Sequence, residues 1–184
     1  IGSILSPKDL LQIAQVLSLI SSVKGRMNEH KAKAELNVIP AMISKMMTQP
    51  VVLNNIRRCI ETEETLYDYA SPELSSIRRQ IGRANDRVHE RLNSFLRSPQ
   101  MVKYLQDPII TMRNGRYVIP VKQENRSNIP GIIHDQSSSG ATLFIEPMSV
   151  VEANNEVSQL MIKEEEEIER ILAELTAQVE QVGD

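Results

Sequence analysis

Tryptophan is absent from this 184-residue sequence, and aromatic residues make up only 3% of it. A chain so poor in rings, and rich in Glu, Arg, Leu, Ile and Met, suits long packed helices. Cysteine occurs once, as Cys59. That excludes an internal disulfide framework and points to a reducing, cytoplasmic compartment. No apolar run is long enough to span a membrane and no signal-peptide pattern is present, so no membrane partner is expected. Net positive charge is missing as well. The balance of −3 gives no overall basicity to announce a nucleic-acid partner. The phosphate-cradling pattern G-x-x-x-x-G-K-[ST] occurs nowhere, nor does a glycine-rich strand-to-helix turn. His30, His89 and His134 are scattered and Cys59 stands alone, so no metal site is expected. The sequence starts at Ile1 rather than Met. It is therefore expected to be a piece of a longer protein, and its missing motifs describe the piece only.

What is present is mostly helical pattern. Ser6-Pro7 reads as a helix start, with Ser as N-cap, Pro at the first helical position and Asp9 near the positive end. Leu10, Ile13, Leu17 and Ile20 then mark one apolar face. Helical patterns continue around Glu29–Glu35 and Ala41–Met47, and Val52, Ile56 and Ile60 suggest another helix. The clustered Met42, Met46 and Met47 are expected to fill core gaps. Ser71-Pro72 repeats the cap-and-proline start. Leu74, Ile77, Ile81, Ala84, Val88, Leu92 and Phe95 follow at spacings of three and four, a coiled-coil-type seam on a helix of roughly 40 Å. Ser98-Pro99 ends it. A second long helix begins at Pro147, with its clearest seam at Ile168, Ile171, Leu172, Leu175, Val179 and Val182.

Between these helices lies a β-patterned island, Ile109–Pro147. Ile109–Arg113 and Arg116–Val121 are extended runs joined by Asn114-Gly115, the dipeptide best suited to a tight turn at positive φ. Gly131–Gln136 and Ala141–Glu146 are two more, linked by Ser137-Ser138-Ser139-Gly140. The simplest geometry is an antiparallel pair of helical arms with the β island at the far end. Charge agrees. Arg78, Arg79, Arg83, Arg87, Arg91, Arg97 and Lys103 make the first arm basic. Glu152, Glu156, Glu164–Glu167, Glu169, Glu174 and Glu180 make the second acidic. The arginines can track a phosphate backbone. Pairing with the acidic arm is the commoner use of such charges and the favoured reading. Glu164–Glu167 reads as a solvated helix face rather than a cation site, and His89 as exposed.

Arg113, Arg116, Lys122 and Arg126 are the candidate nucleic-acid contacts. Arg113 and Arg116 bracket the turn, so both are expected to project beyond the hairpin end as a basic tip. The bland alternative is a set of solvated turn charges, and Asp135 with Glu146 brings the island close to neutrality. A hydrolase reading of His134, Asp135 and Ser137–Ser139 is disfavoured. In a regular strand, His134 and Asp135 point to opposite faces, and the serines read as a turn bonding local backbone. No catalytic residue is assigned.

Three stretches also carry a family resemblance: DYASPELSSIRRQI at Asp68–Ile81, RNGRYVIPVKQE with PGIIHDQSSSGATLFIEP in Arg113–Pro147, and VVEANNEV at Val150–Val157 running into an acidic helix. In order and spacing they resemble the lever and clamp region of the MutS family. Within it they resemble the bacterial MutS-two paralogue, which lacks the mismatch-reading domain. The resemblance implies a mainly α fold: a helical core segment (1–70), an outgoing lever helix with a short connecting helix (71–106), a small antiparallel β clamp (107–147) and a returning, antiparallel lever helix (148–184). It implies a non-catalytic region of a dimeric ATPase, with ATP and magnesium bound elsewhere in the parent and an Smr endonuclease domain at the parent's carboxy terminus. It implies a clamp that contacts the DNA backbone. Two destinations follow for the parent: branched or recombining DNA, with suppression of homologous recombination, or ribosomal RNA on collided ribosomes, with ribosome rescue. The rival class is a purely structural coiled-coil arm that mediates dimerisation without touching nucleic acid.

Overall fold

The structure, a computed structural model, describes residues 3–30 and 45–183. Residues 31–44, with most of the helical pattern expected there and Met42, lie outside the described residues, as do the side chains of His30 and Val182. The chain forms two compact units, Ile1–Ser75 with Glu165–Asp184, and Ser76–Glu164. Among the described residues no helix is long and apolar enough to cross a membrane.

The first unit holds α1 (Pro7–His30), α2 (Pro50–Cys59), the first residues of α3 (Pro72–Arg97) and the second part of a long carboxy-terminal helix, α5 (Met148–Gly183). Both serine caps form as the sequence predicts. Ser6 Oγ accepts from Asp9 N (3.2 Å) while Asp9 Oδ2 accepts from Ser6 N (3.1 Å), a reciprocal box that closes the start of α1. Ser71 Oγ accepts from Leu74 N at 2.9 Å. The core gathers Leu10, Val52, Ile56, Leu66, Leu74, Ile171 and Leu175, so each predicted apolar face supplies buried residues. Met46 and Met47, expected in a core, are exposed instead. They lie in the irregular stretch before α2.

Glu164–Glu167 is not a uniformly solvated face. In this unit Glu167 is buried, accepting from Ser71 Oγ (2.6 Å) and from Arg170 Nε (2.7 Å). The Arg170 hydrogen bonds hold its carboxyl below the usual range, burial opposes them, and the Ser71 bond adds to the lowering. Cys59 is buried beside Ala70, whose carbonyl accepts from Sγ at 3.8 Å, and burial pushes the thiol up. A disulfide reagent should therefore label the native chain on the order of 100-fold more slowly than the urea-unfolded chain. Equal rates would show that the end of α2 is open in solution.

The second unit carries the β island. Its strands are β1 (Thr111–Arg113), β2 (Arg116–Lys122), β3 (Gly131–Gln136) and β4 (Thr142–Pro147), in one antiparallel sheet of order β1-β2-β4-β3. A 3-10 helix, Gln123–Asn128, joins β2 to β3, and the one-turn α4 (Pro99–Val102) precedes the sheet. The predicted hairpin forms, with Asn114 at φ 51° and Gly115 at φ 73°, as a two-residue turn of the primed type requires. Alternation sends Ile119, Val121, Leu143 and Ile145 into a core shared with Ala84, Val88 and Leu92 of α3 and Val150, Ala153, Val157 and Leu160 of α5. Within this unit the two helices are antiparallel, since their contacts run in opposite order. Arg78 pairs with Glu164 (2.7 Å), Arg87 with Glu156 (2.6 Å), and Arg91 Nη1 donates to Ser149 O (3.1 Å). The pairing of basic with acidic side chains therefore holds for Arg78 and Arg87, while Arg91 meets a backbone carbonyl. His89, expected to be exposed, is half-buried and packs edge-on against Tyr117 at 4.7 Å.

Candidate nucleic-acid interface

The hairpin does not present Arg113 and Arg116 as a free tip. Asn114 Nδ2 donates to His134 O at 3.0 Å, so the turn is tied back to β3. Arg113 lies over the Phe144 ring (4.0 Å to the centroid) with Nε 3.2 Å from Asp135 Oδ2. It keeps a half-exposed edge, with a side chain 36% accessible.

Arg116 is drawn further in. Its side chain is only 15% accessible, and its partner Glu146 is fully buried. Nη2 donates to Glu146 Oε1 at 2.6 Å and Nε to Oε2 at 3.2 Å, a two-pronged ion pair. The remaining N–H groups reach α5, at Asn155 Oδ1 (2.8 Å), Val151 O (3.2 Å) and Ser158 Oγ (3.3 Å). Only a planar guanidinium with five donors can serve a buried carboxylate and a helix together. The expectation that Arg116 projects outward is therefore corrected. A desolvated carboxylate within reach attracts the guanidinium more strongly than open solvent holds it.

Glu146 is the centre of this arrangement. Its Oε2 lies 2.5 Å from His134 Nε2, and Asn154 Nδ2 donates to Oε1 at 2.8 Å. Asn154, itself buried, grips the Tyr117 backbone on both sides: Oδ1 accepts from its N–H (3.3 Å) and Nδ2 donates to its carbonyl (3.0 Å). Burial pushes the Glu146 carboxyl up, but hydrogen bonds from Arg116, Asn154 and His134 outweigh it and hold the group below the usual carboxylate range. Four elements, β2, β3, β4 and α5, meet at one charge.

His134 and Asp135 do not point to opposite faces. Ile133 pairs with Ile145 and Asp135 with Phe144, so His134 is the extra residue of a β-bulge. The bulge cancels the alternation. His134 reaches Glu146 and Asp135 reaches the arginine above Phe144, two residues away on the same strand face. The serines bond the turn: Ser137 Oγ accepts from Thr142 N at 3.1 Å, and Gly140 N donates to Ser137 O at 2.8 Å.

The remaining candidates are more open. Arg126 is exposed on the 3-10 helix. Lys122, at the far end of β2 from the turn, is half-buried, and its Nζ donates to Lys103 O at 3.3 Å. Lys103 is exposed, with Nζ 4.9 Å from the Tyr104 ring centroid. The structure thus brings Lys103 beside Lys122, a neighbour the sequence offers only as a member of the basic arm. Arg79, Arg83 and Arg97 are exposed on α3.

No family model matches the chain. Curated proteins do. A protein named "Endonuclease MutS2" from Alkaliphilus oremlandii is 48% identical over 184 residues, 100% of this chain and 23% of that protein. Another of that name from Ruminiclostridium cellulolyticum is 48% identical over 175 residues, 95% of this chain and 22% of its own length. A third, from a Geobacillus species, is 47% identical over 178 residues, 96% of this chain and 23% of its length. The chain thus spans a little under a quarter of the relatives it matches. Sharing nearly half its residues with them along its whole length, the chain belongs to the MutS2 family.

Proposed function

We propose that this chain is the non-catalytic core, lever and clamp region of a MutS2 protein, and that it contacts nucleic acid through the β sheet. On this reading α3 and α5 are the levers and the sheet is the clamp. The observation that carries it is the match to proteins of that name along the whole of this chain, joined to the placement of Lys103 beside Lys122 at the end of β2 away from the internally paired arginines, with Arg126 exposed on the 3-10 helix that follows. These cations suit a phosphate backbone, which needs charge and reach rather than a shaped pocket.

In the whole protein this region would belong to a dimeric ATPase with an Smr nuclease domain, acting on branched or recombining DNA or on ribosomal RNA of collided ribosomes. On this reading ATP and magnesium bind other parts of the parent. The rival reading, a structural arm without nucleic-acid contact, draws support from the Arg78–Glu164 and Arg87–Glu156 pairs, which use up part of the basic helix.

Titration of the chain with four-way branched DNA and with a ribosomal RNA hairpin, across a range of salt, separates these readings. Salt-sensitive binding is expected. Lys122→Gln with Arg126→Gln should flatten the plot of log affinity against log salt by about one unit per lost phosphate contact. Absence of binding to either probe at low salt, with native circular dichroism, would leave the structural arm as the answer.

A further inference from the structure

The cluster at Glu146 has no counterpart in the phosphate-facing set, yet it joins more elements than any other polar group described. Glu146 is fully buried and accepts from Arg116, Asn154 and His134. Arg116 reaches Val151, Asn155 and Ser158 on the first turns of α5, and Asn154 of the same helix clasps the Tyr117 backbone in β2. Each bond runs between the sheet and α5 or between strands. A greasy contact in this position would tolerate sliding, because apolar packing has no direction. A guanidinium held by the carboxylate and bonded to α5, together with the Asn154 clasp, fixes distance and angle together.

We propose that Arg116, Glu146, Asn154 and His134 are positioning residues that fix the sheet at one angle on the start of α5. The grip of the sheet on phosphates depends on them, without direct phosphate contact by Arg116. This rests on the nucleic-acid reading of the sheet. Buried ion pairs often add little net stability over an apolar pair of similar volume, whereas removal of one partner alone is costly. Orientation on α5 comes from the bonds of Arg116 to Val151, Asn155 and Ser158 and from the Asn154 clasp, with the ion pair holding Arg116 in place for them, and an apolar pair supplies none of this.

The test uses the full 184-residue chain, four-way branched DNA as probe, and Arg116→Met, the double variant Arg116→Met/Glu146→Leu, and Arg126→Gln. Arg116→Met is expected to weaken binding on the order of tenfold with an unchanged salt slope, while Arg126→Gln lowers the slope by about one. Arg116→Lys should not rescue, since a point charge cannot hold carboxylate and helix at once. The double variant should regain the thermal midpoint yet bind as weakly as the single one. Amide hydrogen exchange at Tyr117 and at Val151–Asn155 should then run on the order of tenfold faster than in the wild type. A slope that falls with Arg116→Met would make Arg116 a phosphate contact and overturn the proposal, as would a double variant that binds like the wild type. Should the wild-type chain bind no DNA, the nucleic-acid reading fails. The positioning role is then decided by exchange alone, and unchanged protection in the double variant refutes it.

Discussion

Replacing Glu146 by glutamine is expected to lower the stability of the chain by about 3 kcal/mol, the lower end of the cost of breaking a buried ion pair from one side. The substitution keeps the volume and removes the charge. Arg116 is left with its guanidinium against a neutral amide, and in either orientation the amide NH2 faces an Arg116 donor, with Asn154 beside it at one position and His134 at the other. The lower end applies because Arg116 keeps 15% of its side chain accessible and can recover some hydration. Urea unfolding followed by circular dichroism measures the loss. A change below about 1 kcal/mol would mean that the carboxylate contributes no more than an exposed pair.

The same substitution predicts a pH dependence. The folded Glu146 carboxyl sits below its ordinary value, because the three donors outweigh burial. Its charge therefore contributes stability above the unfolded carboxylate value of about 4.3, and that contribution is lost as pH falls through the lower folded value. The stability gap between wild type and Glu146→Gln should be widest above about pH 5 and close on further acidification. A gap that stayed constant down to about pH 3 would assign the effect to shape rather than charge.

Much of this architecture is legible in local sequence. Ser6 and Ser71 announce their caps, Asn114-Gly115 announces a hairpin, and the spacing from Leu74 to Leu92 announces the buried face of α3. Each of these signals lies within a few residues of its effect. The arrangement around Glu146 is not local. It requires Arg116 on β2 and Glu146 on β4 to be neighbours, which follows only from the pairing of Ile119 with Ile145. It also requires the bulge at His134, and a bulge leaves no mark in an apolar–polar pattern. Without that pairing, charges beside a turn read as exposed, which is why the sequence places Arg116 in solvent. The charge asymmetry of the two helices is readable for the opposite reason. Long helices in antiparallel contact turn residue order directly into partner order, as the pairs Arg78–Glu164 and Arg87–Glu156 show.

Gly131→Ala should destabilise the chain by roughly 3 kcal/mol, near the upper end of the usual cost of overpacking. The cause is space. A Cβ on Gly131 would sit 2.3 Å from Glu146 O, 2.6 Å from Ile145 Cγ2 and 2.9 Å from Glu146 C. Two of these are backbone atoms in the middle of the sheet. They cannot retreat, because Ile145 is paired with both Ile119 and Ile133, and the Glu146 side chain is anchored by Arg116, His134 and Asn154. Just beyond, Met148 N donates to Pro130 O at 3.0 Å and fixes the other side of the glycine. The added methyl must therefore push β3 away from β4 and strain the bonds that converge on the buried carboxylate. Gly82 in α3 supplies the contrast. A Cβ there meets nothing within 4 Å, so Gly82→Ala should stabilise the chain by about 0.5–1 kcal/mol through helix propensity alone. Urea midpoints of the two variants should move in opposite directions. A Gly131→Ala midpoint level with the wild type would show that β3 and β4 lie farther apart in solution than the close approach at Gly131 requires.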